Sequence, residues 1–109
     1  MSITSVKVDR IVYDISTPKS DKTIDISVQD QSGAKLFFKM NMYSHMFRLI
    51  DEYSNRTNYN FFNIRLFKDG ERIAHTTTPE ALELVQDEVI DVFIEQEGGN
   101  GNTGPAEKS

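Results

Sequence analysis

The chain has 109 residues, a formal net charge of −5, 38% hydrophobic residues and no cysteine. That length holds one small domain with tails, and the missing cysteines exclude a disulfide framework, a thiolate metal site and a thiol nucleophile. No apolar run approaches the ~20 residues that cross a bilayer, and the N-terminus lacks the apolar core of a signal peptide, so a soluble intracellular protein with no membrane partner is expected.

Residues 1–23 read as an N-terminal extension, partly flexible. Within it, Ser5 to Ile15 is rich in β-branched residues, and a plain extra strand is its favoured reading. Ser16 to Thr23 (STPKSDKT) is a linker of turn formers that reaches up to roughly 25 Å when extended.

The compact domain is expected over residues 24–97. Ile24, Ile26 and Val28 alternate with polar residues, which marks a half-buried strand. Asp30 to Gly33 turns the chain, and Leu36, Phe38, Met40 and Met42 alternate in a second strand to complete a hairpin. Ser44 is the expected N-cap of a helix whose apolar face is Met46, Leu49, Ile50 and Tyr53. The Asn-rich run Asn55 to Asn60 ends that helix. A third strand covers Ile64 to Phe67, Asp69-Gly70 signals a hairpin, and Arg72 to Ala74 forms its return. Thr78-Pro79 opens a short turn, and Val89 to Ile94 is apolar enough to lie centrally in a mixed sheet. The order β-β-α-β-β-β, with one helix packed across the sheet, is an α+β arrangement of the β-grasp kind.

After the last strand comes Gly98-Gly99, then residues 100–109, with two further glycines, Gly101 and Gly104, and little apolar surface to order them. A glycine pair leaves a thin backbone that enters a narrow tunnel. Charge is uneven: Glu80 to Glu97 carries seven acids and no base, whereas the bases of the domain all precede Glu80. Two faces of opposite sign suit two partners, and an acidic chain without a dense basic stripe argues against direct nucleic-acid binding. His45 and His75 are too isolated to ligate a metal or act as a base. Thr76-Thr77-Thr78 has no base or oxyanion partner at readable spacing and reads as a loop.

Taken together, residues 24–99 resemble the small ubiquitin-like modifier (SUMO) family. The resemblance runs through Phe38-Lys39, Met42 and His45, then Glu52-Tyr53 and Arg56. It continues through Arg65, Asp69-Gly70, Arg72-Ile73-Ala74, Thr78-Pro79 and Leu82, and closes on Asp87, Val89-Ile90-Asp91-Val92 and Gln96-Glu97-Gly98-Gly99. It implies a ubiquitin-like β-grasp fold and a non-enzymatic protein tag that is monomeric and found in nucleus and cytoplasm. A SUMO-specific protease would trim the precursor after Gly99, removing residues 100–109. Activating and conjugating enzymes, with ligases, would then carry the Gly99 carboxylate to target-protein lysines, with Gly98 completing the stalk. No cofactor is implied for the chain, since ATP is used by the activating enzyme.

The resemblance also implies two docking faces. Phe37, Phe38, Lys39, Met40, Leu49, Tyr53 and Arg56 correspond to a groove between the second strand and the helix, which accepts proteins with SUMO-interacting motifs as an added strand. Lys39, Arg48 and Arg56 would meet acids flanking such motifs, although the base usual two positions after Lys39 is Asn41. Phe38→Ala is expected to weaken peptide binding without unfolding the domain. Arg65, Asp69, Glu83 and Glu88 correspond to the conjugating-enzyme face, with departures at Lys68, Glu83, Val85 and Gln86. Val6-Lys7-Val8-Asp9 fits the acceptor pattern, which makes Lys7 a candidate chain acceptor. Val12 to Ser16 itself resembles an interacting motif, able to fold into its own or a neighbour's groove. Two other readings stay open: a non-conjugated ubiquitin-like binding module, and a β-grasp sulfur carrier whose terminal glycine becomes a thiocarboxylate.

Overall fold

Period-two alternation in five of its strands lays one apolar face beneath a single helix. The computed structural model describes residues 10–16 and 22–95. Lys7, Gly98, Gly99, residues 17–21 and residues 100–109 lie outside the described residues, as does the Ser5 to Asp9 part of the expected extra strand. The elements in chain order are β1 (Val12–Asp14), β2 (Thr23–Gln29), β3 (Lys35–Asn41), α1 (Phe47–Thr57), β4 (Ile64–Lys68), β5 (Glu71–Arg72) and β6 (Glu88–Ile94). They form one mixed sheet in the order β1-β3-β2-β6-β4-β5. The expected β-β-α-β-β-β order is therefore present with a short strand added at its front.

Register aligns the apolar positions. Ile26 faces Phe38 across the antiparallel β2–β3 pair, Val28 faces Ile90 in the parallel β2–β6 pair, and Leu66 faces Val92 in the antiparallel β4–β6 pair. All six are buried, and Leu49, Ile50 and Tyr53 of α1 close over them with Met46. β6 lies between β2 and β4. Val89 to Ile94 is thus central, as its apolar run implies.

The turns show how side chains replace missing backbone partners. The Asp30 carboxylate accepts from the Ser32 hydroxyl at 2.6 Å, the Ser32 amide at 2.8 Å and the Ala34 amide at 3.1 Å. These bonds, the Ser32 hydroxyl first, hold its carboxyl below the usual carboxylate range. The hairpin from β4 to β5 places Asp69 at φ 53° and Gly70 at φ 84°, the two left-handed residues that match strand twist.

Two expectations need correction, and one element is added. Ser44 does not cap α1; the cap position is Met46, with no side-chain capping bond. The amides of Met46 and Phe47 instead donate to the carbonyls of Thr77 at 2.8 Å and His75 at 2.9 Å. The loop containing Thr76-Thr77-Thr78 supplies from a distance what a local hydroxyl was expected to supply. The return strand is Glu71–Arg72 rather than Arg72 to Ala74, although the Ile73 amide still donates to the Leu66 carbonyl at 2.8 Å. Finally, a short 3-10 turn over Phe61–Asn63 precedes β4, capped by the Asn60 side chain accepting from the Phe62 amide. At the other end of α1, Asn58 takes the left-handed conformation at φ 68° and stops the helix within the expected Asn-rich run. The whole is a ubiquitin-like β-grasp.

Gly70 has no atom within 4 Å of where a Cβ would stand, so only its backbone conformation demands glycine. Gly70→Ala should therefore destabilise the domain by about 1 kcal/mol through left-handed strain alone. Urea unfolding should show a lower midpoint with an unchanged slope.

Candidate functional site

One edge of β3 pairs with β2. The other edge, beside α1, pairs with β1. The β1–β3 pairing is parallel, with Val12 opposite Phe37, Tyr13 opposite Phe38 and Asp14 opposite Lys39. The ladder continues one step further, because the Ile15 amide donates to the Lys39 carbonyl at 2.8 Å.

Alternation sends β1 side chains to both faces. The Tyr13 ring lies 5.7 Å from the Phe38 ring, and the Arg56 guanidinium sits 4.2 Å from its centroid. Ile15 is 8% exposed and joins the core. Arg10, in contrast, covers Phe37 from the outer face at 4.5 Å and reaches Asp87 at 3.9 Å. The end of β1 is closed locally: the Asp14 carboxylate accepts from both the amide and the hydroxyl of Ser16.

The α1 flank contributes a stripe of three residues spaced by four. Arg48 donates to the Ile15 carbonyl at 3.2 Å, Glu52 pairs with Arg56 at 2.7 Å, and Arg56 stacks on Tyr13. Such spacing puts all three on one helix face. Lys39 lies in register between Asp14 of β1 and Asp25 of β2. The result is an edge with backbone pairing groups, an aromatic floor and cationic walls.

Of the seven expected groove residues, Phe38, Met40, Leu49 and Tyr53 are buried and form the floor. Lys39 is half-buried, Arg56 is exposed, and Phe37 faces away from Phe38 onto the outer side of the sheet. Phe37, and Lys39 two positions on, therefore lie on the face opposite Phe38 and Met40. Phe38 is fully buried, so Phe38→Ala removes core volume and costs about 3–5 kcal/mol. That substitution does not separate binding from folding as expected. Asn41, at the position of the missing base, is buried opposite Thr23.

The second expected face is less unified. Arg65 turns outward and pairs with Glu95, whereas Lys68 gathers Asp69 at 3.0 Å and Glu88 at 3.9 Å near the other end of β4. The hydrogen bond to Asp69, with the charges of Asp69 and Glu88, pushes the Lys68 ammonium above its ordinary range. Lys68 thus partly neutralises two of the three acids expected on that face, Asp69 and Glu88. Glu83 stands at φ 58°, a backbone that favours glycine, which gives a physical reason for the small residue expected there.

Sequence reading missed an outward apolar set. Phe93 and Val89 of β6 are exposed, as is Phe62 of the 3-10 turn. Apolar residues at the outward positions of an alternating strand were the available signal. A cleft of about 520 Å³ next to Phe62 is lined by Ile50, Phe61, Ile64, Leu66 and Ile73, among others. Among the described residues no group of three His, Cys, Asp or Glu could hold a metal ion, and no helix is long and apolar enough to cross a membrane.

Comparison with known proteins adds two findings. Residues 24–94 match the family model described as "Ubiquitin-2 like Rad60 SUMO-like". The chain is also 30% identical over 95 residues to "Small ubiquitin-related modifier 2" of Arabidopsis thaliana, covering 82% of this chain and 92% of that one.

Burial, with smaller contributions from Asp30 and Tyr59, pushes the Tyr53 phenol up to about 12. A phenol raised in the folded state stabilises the fold fully below its unfolded value near 10, and that stability is lost as pH rises toward 12. Unfolding midpoints should fall between pH 10 and pH 12, and Tyr53→Phe should reduce that fall. An identical alkaline loss in Tyr53→Phe would contradict the assignment.

Proposed function

The chain belongs to the SUMO family of ubiquitin-like modifiers, and from that premise we propose that it is a conjugated tag matured at Gly99. A SUMO-specific protease removes residues 100–109. The Gly99 carboxylate attacks ATP on the activating enzyme to give an acyl adenylate and pyrophosphate, and that enzyme's cysteine then takes the acyl group as a thioester, releasing AMP. It passes by thioester exchange to the conjugating enzyme. A target lysine amine, aided by ligases, then attacks the carbonyl, releasing the thiol and forming an isopeptide bond. All thiols belong to partners, because the chain has no cysteine. The chain contributes a carboxylate, a stalk and docking faces, and it acts in nucleus and cytoplasm without catalysing a step itself.

The observation that carries this reading is positional. The family match ends at Ile94, the last residue of β6, and Gln96-Glu97-Gly98-Gly99 follows after Glu95 alone. A carboxylate there hangs from a strand held in the middle of the sheet. The groove between β3 and α1 supports a second part of the reading, the binding of extended SUMO-interacting motifs by strand addition. The non-conjugated binding module is the competing reading, favoured by Lys68, Glu83, Val85 and Gln86 on the conjugating-enzyme face.

Incubation with a SUMO-specific protease should lower the mass by residues 100–109, and the product should form a thioester with the conjugating enzyme. An intact mass contradicts maturation; cleavage without thioester formation favours the binding module. Lys7→Arg should abolish most polymeric chains while leaving single attachment intact, as read on denaturing gels. Unchanged chain length would reject Lys7 as the acceptor.

A further inference from the structure

We propose that β1 is the resident ligand of the β3–α1 groove, so that the chain gates its own peptide-binding edge in cis. This rests on the groove reading above and adds its regulation. Every feature that a strand-adding peptide would use is already engaged by residues 10–16. The β3 edge is paired over Phe37, Phe38 and Lys39. Tyr13 covers the Phe38 floor beneath Arg56, and Arg48 holds the Ile15 carbonyl. Beside Phe37 a cavity of only about 30 Å³ remains. An incoming peptide cannot add to β3 without displacing β1.

Topology explains why the occupant is the chain's own segment. β1 runs parallel to β3 and β2 runs antiparallel to it, so β1 ends and β2 begins at the same end of β3. The Ile15 amide bonds Lys39, and the Lys22 carbonyl accepts from Met42. Two strands flanking a third are about 10 Å apart, and the stretch between Ser16 and Lys22 reaches roughly 20 Å. That reach is long enough to span the end of β3 within one molecule. A tether this short sets an effective concentration in the millimolar range or above. A free peptide competes against that, and its apparent affinity falls by the fraction of molecules in which the edge is open.

The resident strand also defines the competitor. It runs parallel to β3, with an aromatic and a branched aliphatic side chain at alternate inward positions and an acid between them opposite Lys39. Extended hydrophobic–acidic segments fit this description.

The test uses the full chain and a capped peptide with the sequence of residues 10–16 (RIVYDIS) as the probe, titrated by NMR. Tyr13→Ser removes the ring from Phe38 and Arg56, whereas Tyr13→Phe keeps it. Tyr13 lies on an edge strand, and Tyr13→Thr, which retains strand preference, gives the same comparison should the serine variant not fold. The expected result is about tenfold tighter probe binding by Tyr13→Ser than by the native chain or Tyr13→Phe, with shifts at Phe38, Lys39 and Arg56. Equal, measurable binding by all three overturns the gate and leaves the groove reading standing. Absence of binding to every folded variant overturns the groove reading itself. Native affinity that depends on protein concentration, with dimers in solution, overturns cis occupancy in favour of exchange between copies.

Discussion

The edge of β3 that β2 leaves open is the constraint on which the rest of this structure turns. β3 contributes Phe38 and Met40 to the core and is anchored along its full length by β2. Its opposite edge must still satisfy backbone donors and acceptors, because an open edge beside an apolar floor invites uncontrolled strand pairing. β1 satisfies it, and α1 lays Arg48 and Arg56 along the join. The edge that must be shielded from uncontrolled pairing is also the edge proposed to recognise peptides. What distinguishes the two roles is whether the strand on it comes from this chain or from another.

The two ends of the domain divide the work. At the β3 edge, the proposed peptide recognition draws on backbone pairing and on Arg48 and Arg56 of α1. At the C-terminal end, β6 is held between β2 and β4, and the Glu95 amide still bonds the Asn63 carbonyl at 2.8 Å. A stalk leaving a central strand departs from a fixed point, which suits a carboxylate that partner enzymes must find. The proposed gate and the proposed conjugation therefore draw on an edge and on the middle of one sheet, with β2 between β3 and β6, and need not interfere.

Much of this was legible in the residues. Alternation at Ile24, Ile26 and Val28 and at Leu36, Phe38 and Met40 located the hairpin, and Asp69-Gly70 marked the tight turn with its two left-handed residues. The apolar run of β6 announced its central place. The helix start was misjudged because the acceptors for Met46 and Phe47 come from Thr77 and His75, about thirty positions along the chain, where no local pattern reveals them. Alternation along β3 puts Phe37 on the face opposite Phe38 and Met40, so the seven expected groove residues do not share one face. Whether each lines a surface or a core depends on what packs above it, and burial places Phe38, Met40, Leu49 and Tyr53 in the core. The β-branched character of residues 5–15 suggested a strand, but only register shows that its Val12–Asp14 part lies on β3 beside α1.

The most direct measurement is amide hydrogen exchange at Ile15 in the native full chain, since that amide donates to the Lys39 carbonyl only when β1 is seated. Closure in cis predicts protection of about tenfold or more over an unstructured peptide, independent of protein concentration. Exchange at the unstructured rate, with β2 and β3 still protected, would contradict the account.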